Sequence, residues 1–305
     1  MNAVSKVPTS GAASLSRVVP VPANAMSVDV EDYFQVQAFA GIVPRDSWDG
    51  FASRVEDNVA RILDQFARFG ATGTFFTLGW IAERHPAMIR RILAAGHELA
   101  SHGYGHAPVY ALGEDGFRED IRRAKAILED AGGIAIQGYR APTFSMGPHT
   151  PWAHRVLEEE GHRYSSSTFP IQHDLYGDPD APRIPYRPAG TAALWELPMT
   201  TVRLPGPLLA DRNLPCAGGG YFRLLPYALF RMGLRRVNAG GQAGIFYFPP
   251  WEVDPGQPRI ANCSRAARFR HYVNLAVMSG RLDRLLGDFT WRRIDEVFAA
   301  TLSTA

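Results

Sequence analysis

Short apolar runs alternate along this chain with stretches of helical periodicity. The run 26–30 ends in Glu31 and Asp32 and reads as a buried parallel strand whose carboxyl end opens onto a site. Residues 33–49 are irregular and aromatic. Val55, Val59, Ile62, Leu63, Phe66 and Phe69 then recur at helical spacing, which predicts a helix over 54–69. Gly70-Ala-Thr-Gly turns into a strand over 74–78. Pro86 opens a second helix through Met88, Ile89, Ile92 and Leu93 that Gly96 stops. Residues 97–100 form a third strand and deliver Ser101 and His102. The alternation continues with a helix over 116–131, a strand over 134–139, a helix over 151–160 and a strand from Arg163. A strand over 194–197, a helix over 225–237 and a strand over 244–248 complete it. Six to eight strand and helix pairs imply a parallel sheet wrapped by helices, closer to a β/α barrel than to a doubly wound sheet. The expected fold is therefore an α/β distorted (β/α) barrel.

Composition narrows the picture. A chain of 305 residues, 46% hydrophobic with 11% aromatic, has enough length for a full core. Its formal net charge of +2 argues against a polyanionic partner, so no nucleic acid is expected. Cys216 and Cys263 are the two cysteines, which excludes a disulfide framework and a cysteine-rich zinc site and favours a reducing, cytoplasmic setting. Residues 1–24 lack the continuous apolar core of a secretory signal and are expected to form a disordered tail, with a single domain over 25–305. No run of about 18 apolar residues appears, so no transmembrane segment is expected.

The candidate chemistry lies at the predicted strand ends. Asp29, Glu31 and Asp32 put three carboxylates in four residues, a cluster tolerated when a cation compensates it. A helix N-terminus accounts for such acids equally well in isolation, but not for their place directly after an apolar strand. His102 and His106 stand four apart after the third strand, with Gly103 and Gly105 between them. The spacing alone is weak, and its place at the strand end strengthens it. Arg140 follows the next strand and could hold an aspartate by a bidentate pair; a surface arginine is the bland alternative.

In this order, Asp-x-x-Asp, Ser-His-x-x-x-His and Arg-x-Pro resemble the metal-dependent polysaccharide deacetylases, carbohydrate esterase family four, from about residue 26 to the end. The chain is most similar to a subgroup found with exopolysaccharide gene clusters of the exosortase type. That likeness is carried by Ser27-Val-Asp-Val-Glu-Asp-Tyr-Phe, Phe169-Pro-Ile-Gln-His-Asp-Leu-Tyr-Gly, Ala217-Gly-Gly-Gly-Tyr-Phe-Arg, Pro250-Trp-Glu-Val-Asp-Pro and Phe269-Arg-His-Tyr-Val-Asn-Leu.

The resemblance implies Asp29 as general base, oriented by Arg140, and Asp32, His102 and His106 as ligands of a divalent metal, with Glu31 competing with Asp32. Zinc suits such ligands best; cobalt, nickel and manganese are also admitted. The backbone N–H of Thr143 would stabilise an oxyanion. Apart from the resemblance, Trp251 with Tyr221, Phe222 and Trp195 could form a sugar-stacking platform that binds substrate, although aromatics in a chain of this size are more often core. The implied reaction is hydrolysis of N-acetyl groups on a glycan, with exopolysaccharide assembly proteins as partners. Two positions depart from the family. Pro249 stands where the catalytic acid histidine is usual, and Ser165 where relatives carry aspartate. One of His271, His173 and Glu252, or a metal-bound water, could serve as the acid instead, although a packing role is the favoured reading of His271 and His173-Asp174 equally suits a substrate-contacting loop. Two alternatives stay open: a glycan-binding or assembly protein with impaired catalysis, and a hydrolase of non-sugar amides like the allantoinase-type relatives of the same barrel.

Overall fold

The computed structural model describes residues 22–174, 176–204 and 212–304. Most of the expected N-terminal tail lies outside the described residues. Its last member, Asn24, already belongs to the first strand, where its side chain binds Asn238 (3.1 Å) and the Gly244 N–H (2.7 Å).

An eight-stranded sheet organises the chain. Strands β1 (Asn24–Val30), β2 (Thr74–Thr77), β3 (Glu98–Ser101), β4 (Gly138–Tyr139), β5 (Tyr164–Ser165) and β6 (Trp195–Glu196) follow one another across it, each parallel to its neighbour. After a small antiparallel pair, β7 (Thr201–Val202) and β8 (Leu214–Pro215), the chain returns as β9 (Ile245–Phe248) and β10 (Trp291–Arg292), both parallel to β1. Between β6 and β9 the curve is held by one side chain: the Thr200 hydroxyl accepts the Ile245 N–H (2.5 Å) and donates to the Ile245 carbonyl (3.0 Å). The result is the distorted half-barrel that the alternation of elements predicts.

Side chains alternate across this sheet with the period of two that extended backbone imposes. Val28, Phe75 and Leu99 point to the outer layer, where they pack with Ile62, Phe66, Met88 and Ile89 of the helices Val55–Arg68 and Pro86–Ala94. Phe76, Ala100, Tyr164, Leu197 and Ile245 form a separate inner cluster. Burial on both sides explains why every residue of β1 is buried and why it reads as a continuous apolar run.

Two boundaries differ from the pattern-based expectation. The helix expected over 116–131 spans Val109–Gly132, kinked where Gly113 takes a φ of 68°; that glycine hides the first turn from a periodicity search. The strand expected over 134–139 is only Gly138–Tyr139, because Ile134 is exposed and the Ile136 N–H bonds the Glu129 carboxylate instead of a neighbouring strand. The helix Arg265–Tyr272 buries a single side chain, His271, so it carries no hydrophobic period to detect. Cys216 and Cys263 are free thiols. Among the described residues, no helix is long and apolar enough to cross a membrane.

Candidate active site

Parallel pairing in register brings the carboxyl ends of β1, β3, β4 and β9 to one rim, and a cavity of about 210 Å³ opens there. Asp29, Glu31, His102, His106, Thr143, Pro249, Trp251 and Glu252 all border it.

Asp29 is the last inward residue of β1. Its Oδ1 accepts from the fully buried Arg140 guanidinium at 2.6 Å. Arg140 spends its other donors on the Ser27 hydroxyl (2.8 Å) and on the carbonyl and hydroxyl of Ser166 (both 3.0 Å), and it lies over the Phe76 ring. With so many partners the guanidinium has one orientation, and it fixes that of the carboxylate. Burial pushes the Asp29 carboxyl above the usual carboxylate range, against the opposing pull of Arg140.

Glu31 is the acid that joins the histidines. Its Oε2 lies 2.7 Å from His106 Nε2, and one ligand atom from each of Glu31, His102 and His106 falls within 4.8 Å of the others. All three side chains are buried. The His102 Nδ1–H donates to the Arg140 carbonyl (2.9 Å), which leaves Nε2 with a lone pair. Burial is the main cause that lowers the His102 pKa to about 3, so the ring is neutral. Buried Glu31 Oε2 has His106 Nε2 as its close polar neighbour but no well-formed hydrogen bond, an arrangement in which a cation could take lone pairs from both. The donor set therefore fits a divalent metal.

Asp32, read above as the carboxylate ligand, points elsewhere. Its Oδ2 accepts from the Ser53 hydroxyl (2.8 Å) and from the backbone N–H groups of Arg54 (2.8 Å) and Val55 (3.2 Å). It thus satisfies donors at the start of the helix Val55–Arg68, the capping role that the acidic cluster equally suggested. β1 ends at Val30 and the Glu31 N–H bonds the Asp29 carbonyl (2.9 Å), so it is the turn after the strand that sends Glu31 and Asp32 to different surroundings.

The histidine pair lies on a loop. Gly103 takes a φ of 73°, and a Cβ there would meet Asp120 Oδ2 at 2.7 Å. The Tyr104 N–H bonds that same oxygen at 2.9 Å, so the loop wraps around a half-buried carboxylate and can do so only with glycine at this position. Thr143 and Phe144 have φ of 56° and 49°, left-handed conformations that cost non-glycine residues about 1–3 kcal/mol each. The Phe144 ring is held against Phe169, Tyr176 and Tyr247.

Trp251 borders the cavity, and its indole N–H donates to Glu31 Oε1 (3.1 Å). Its ring stacks on His271 at 4.0 Å. His271 in turn meets Gln257 Oε1 through Nε2 (2.7 Å), is lowered by burial to about 3 and does not line the cavity, which matches the packing role favoured for it. His173 lines an adjoining space. At Ser165, the hydroxyl bonds that of Ser167 (2.7 Å), and the buried carboxylate of that region comes from Glu196, which accepts the Ser167 and Thr168 N–H groups (2.8 Å each) and faces His154 (3.0 Å).

Sequence reasoning missed Arg223. Its side chain is buried and contacts Glu252 Oε1 at 3.3 Å, while Glu252 Oε2 is buried without a partner. A Cβ on Gly219 would lie 1.7 Å from Glu252 Oε2; the glycine-rich run 218–220 makes room for this carboxylate. Burial raises the Glu252 pKa, Arg223 lowers it, and the charges of Glu31 and Asp29 raise it further.

Comparison with known proteins agrees with this geometry. Residues 46–164 match the family model for polysaccharide deacetylase, and residues 166–299 match a domain of unknown function, DUF3473. A peptidoglycan-N-acetylglucosamine deacetylase of Bacillus cereus is 34% identical over 82 residues, 27% of this chain and 30% of the relative. A chitooligosaccharide deacetylase of Rhizobium leguminosarum bv. trifolii is 32% identical over 81 residues, 26% of this chain and 38% of the relative. The matched stretches thus span about a third of these relatives' own length. A Mycobacterium smegmatis crystal structure, described provisionally as a polysaccharide deacetylase, shares the fold with a TM-score of 0.54 at 24% identity, over 93% of both chains. An allantoinase shares it with a TM-score of 0.55 at 18% identity, over 92% of this chain and 90% of that one. The family match covers residues 46–164, the relatives are matched over part of their own length, and the solved structures share the fold.

Proposed function

We propose that this chain is a metal-dependent deacetylase that hydrolyses N-acetyl groups of an amino sugar or polysaccharide, zinc being the ion best suited to two imidazoles and a carboxylate. The observation that carries the reading is the meeting, in one cavity, of Glu31, His102 and His106 with an aspartate held by a buried arginine. The names of the curated relatives support the substrate class. A role in exopolysaccharide biosynthesis, with assembly proteins as partners and a cytoplasmic setting, belongs to the same proposal. It rests on the five quoted segments and on the sparse cysteines. Residues from β1 onward are taken to act as a single catalytic unit.

A divalent ion held by Glu31, His102 and His106 would supply an acidified water and a positive charge facing the amide oxygen. Asp29 takes the proton as the water oxygen bonds to the acetyl carbon, and its burial-raised pKa makes it a better base than an exposed aspartate. Arg140 keeps the carboxylate aimed. The Thr143 N–H supports the oxygen that gains charge. When the C–N bond breaks, the departing nitrogen needs a proton that Pro249 lacks; Glu252, with its unpartnered Oε2 at the cavity wall, supplies it, and the products are acetate and a free amine.

The test is acetate release from the tetramer of N-acetylglucosamine by zinc-loaded protein. Turnover is expected, with loss on chelation and loss of bound zinc in Glu31→Ala and His106→Ala. No acetate from any N-acetylated glycan, with folded and zinc-loaded protein, overturns the reading; activity confined to Pro249→His would assign the natural chain to glycan binding.

A further inference from the structure

The small net charge of the chain hides an uneven distribution. Residues 212–282 carry ten of its 32 basic side chains, all of them arginine, and only two of its 30 acids, Glu252 and Asp254. Both acids are buried. The surface of this stretch therefore presents cations and no carboxylate of its own. Arg235, Arg236, Arg259, Arg265 and Arg268 are exposed and form no ion pair among the described residues. Asp174 and Asp288 reach the stretch from outside and are spent on Arg270 (2.6 Å) and Arg231 (3.0 Å); Asp283, next along the chain, pairs with Arg68 (3.1 Å).

The same stretch gathers exposed apolar side chains. Leu224, Leu229, Met232, Phe269 and Val277 are 42–56% exposed, and they are half of the large apolar residues so exposed among the described ones. They stand on four helices, Gly219–Leu224, Tyr227–Ala239, Arg265–Tyr272 and Leu275–Asp288, that are tied together. The Arg281 guanidinium, one turn after Val277, donates to the carbonyls of Phe222 (2.6 Å), Arg223 (2.8 Å) and Leu225 (2.9 Å). Arg284 lies over the Tyr227 ring at 4.2 Å, and Arg223 donates to the carbonyls of Arg270 and His271 (both 3.2 Å). Leu224 and Phe269 border one opening of about 350 Å³, where Phe269 extends an aromatic wall formed by Tyr176 and Tyr221. The helix Arg265–Tyr272 buries only His271, so Arg265, Arg268 and Phe269 lie uncovered.

Exposed aliphatic groups set among unpaired guanidinium groups match an interface where phosphates lie directly above hydrocarbon. Single-stranded nucleic acid would take the cations but rewards stacking rings, and four of the five apolar groups are aliphatic. We propose that this face of four helices docks the protein on an anionic lipid bilayer, its apolar side chains entering the headgroup layer and its arginines meeting lipid phosphates. The opening at Leu224 and Phe269 shares Tyr176, Gly220, Tyr247 and Arg270 with the cavity of Asp29 and the histidines, so docking carries a way into that cavity to the membrane surface. The inference goes beyond the deacetylase reading and needs no turnover.

The experiment is co-sedimentation of the full chain with vesicles of phosphatidylcholine alone and of phosphatidylcholine mixed with phosphatidylglycerol. Binding is expected on the mixed vesicles only and should weaken as salt rises. Arg268→Glu is expected to lose roughly five- to tenfold in partitioning and Phe269→Ser roughly threefold. Arg90→Glu, at an exposed arginine outside the stretch, is expected to lose less than about twofold. Circular dichroism checks the fold of each variant. Absence of binding to the mixed vesicles overturns the proposal, and so do equal losses in Arg268→Glu and Arg90→Glu, which would mean attraction by overall charge. Binding that Phe269→Ser leaves unchanged and that single-stranded DNA competes away marks a polyanion site and overturns it as well. Acetate release from the soluble tetramer of N-acetylglucosamine is read in parallel on wild type, so a failure of docking and a failure of the deacetylase reading are seen apart.

Discussion

Two buried arginines each hold a carboxylate at the cavity, and they hold it differently. Arg140 grips Asp29 at 2.6 Å and fills its remaining donors with Ser27 and Ser166. Arg223 meets Glu252 at 3.3 Å, gives its other donors to the carbonyls of Arg270, His271 and Val273, and leaves its Nε without a partner. A guanidinium committed to its carboxylate fixes charge and direction together, whereas one shared with backbone carbonyls leaves half of the carboxyl group unmade. The first arrangement suits a group that must accept a proton from a set direction. The second suits one that carries a proton in.

The largest effect should come from breaking the tight pair. Arg140→Met leaves Asp29 buried without its counter-charge, and about 3–5 kcal/mol of stability is expected to go, read from the denaturant midpoint; acetate release should vanish with it. If the variant is as stable as wild type, the contrast between the two pairs is wrong. Glu252→Gln keeps the shape and the Arg223 contact, so stability should barely move while kcat falls by roughly 10²–10⁴-fold. A general acid with a raised pKa imposes an alkaline limb on the rate, and that limb should flatten in the glutamine variant; a uniform drop at every pH would argue for packing alone.

The smallest effect concerns two buried histidines that do not line the cavity. His97 and His162 are buried, and burial lowers both to about 4; His97 Nδ1 accepts the Gly73 N–H (3.1 Å) and must be unprotonated to do so. The unfolded chain takes up protons near pH 6.5 and the folded chain only near 4. Their contribution is therefore complete above pH 6.5 and lost as pH falls from 6.5 towards 4. Stability against pH should show this slope, and His162→Leu should make it shallower.

Much of this was legible in the chain. The runs before Asp29, His102 and Arg140 read as parallel strands, and strand ends in such folds converge, which brought three distant motifs to one rim. The choice between Glu31 and Asp32 stayed open in the sequence, because both acids follow the strand and the turn that separates them has no signal in the residue pattern. Arg223 was not: it lies 29 positions from Glu252, and nothing local distinguishes a buried guanidinium from an exposed one. The aromatic wall was legible in part, since Tyr221 is a stacking candidate in the sequence, whereas its meeting with Tyr176 and Phe269 joins three separate segments with no shared period.

The strained turn at Thr143 and Phe144 has one more consequence. The turn lies in the stretch that matches the deacetylase family, and the three rings that clamp Phe144 lie in the stretch that matches DUF3473. Glu31 is likewise steadied by Trp251 from the second stretch. The boundary near residue 165 separates two family matches and is a poor place to divide the polypeptide. A fragment ending there would keep its acids and histidines while the turn beside them relaxed, and a graft of everything before that boundary onto a foreign partner would inherit the reactive groups without the grip that holds them in place.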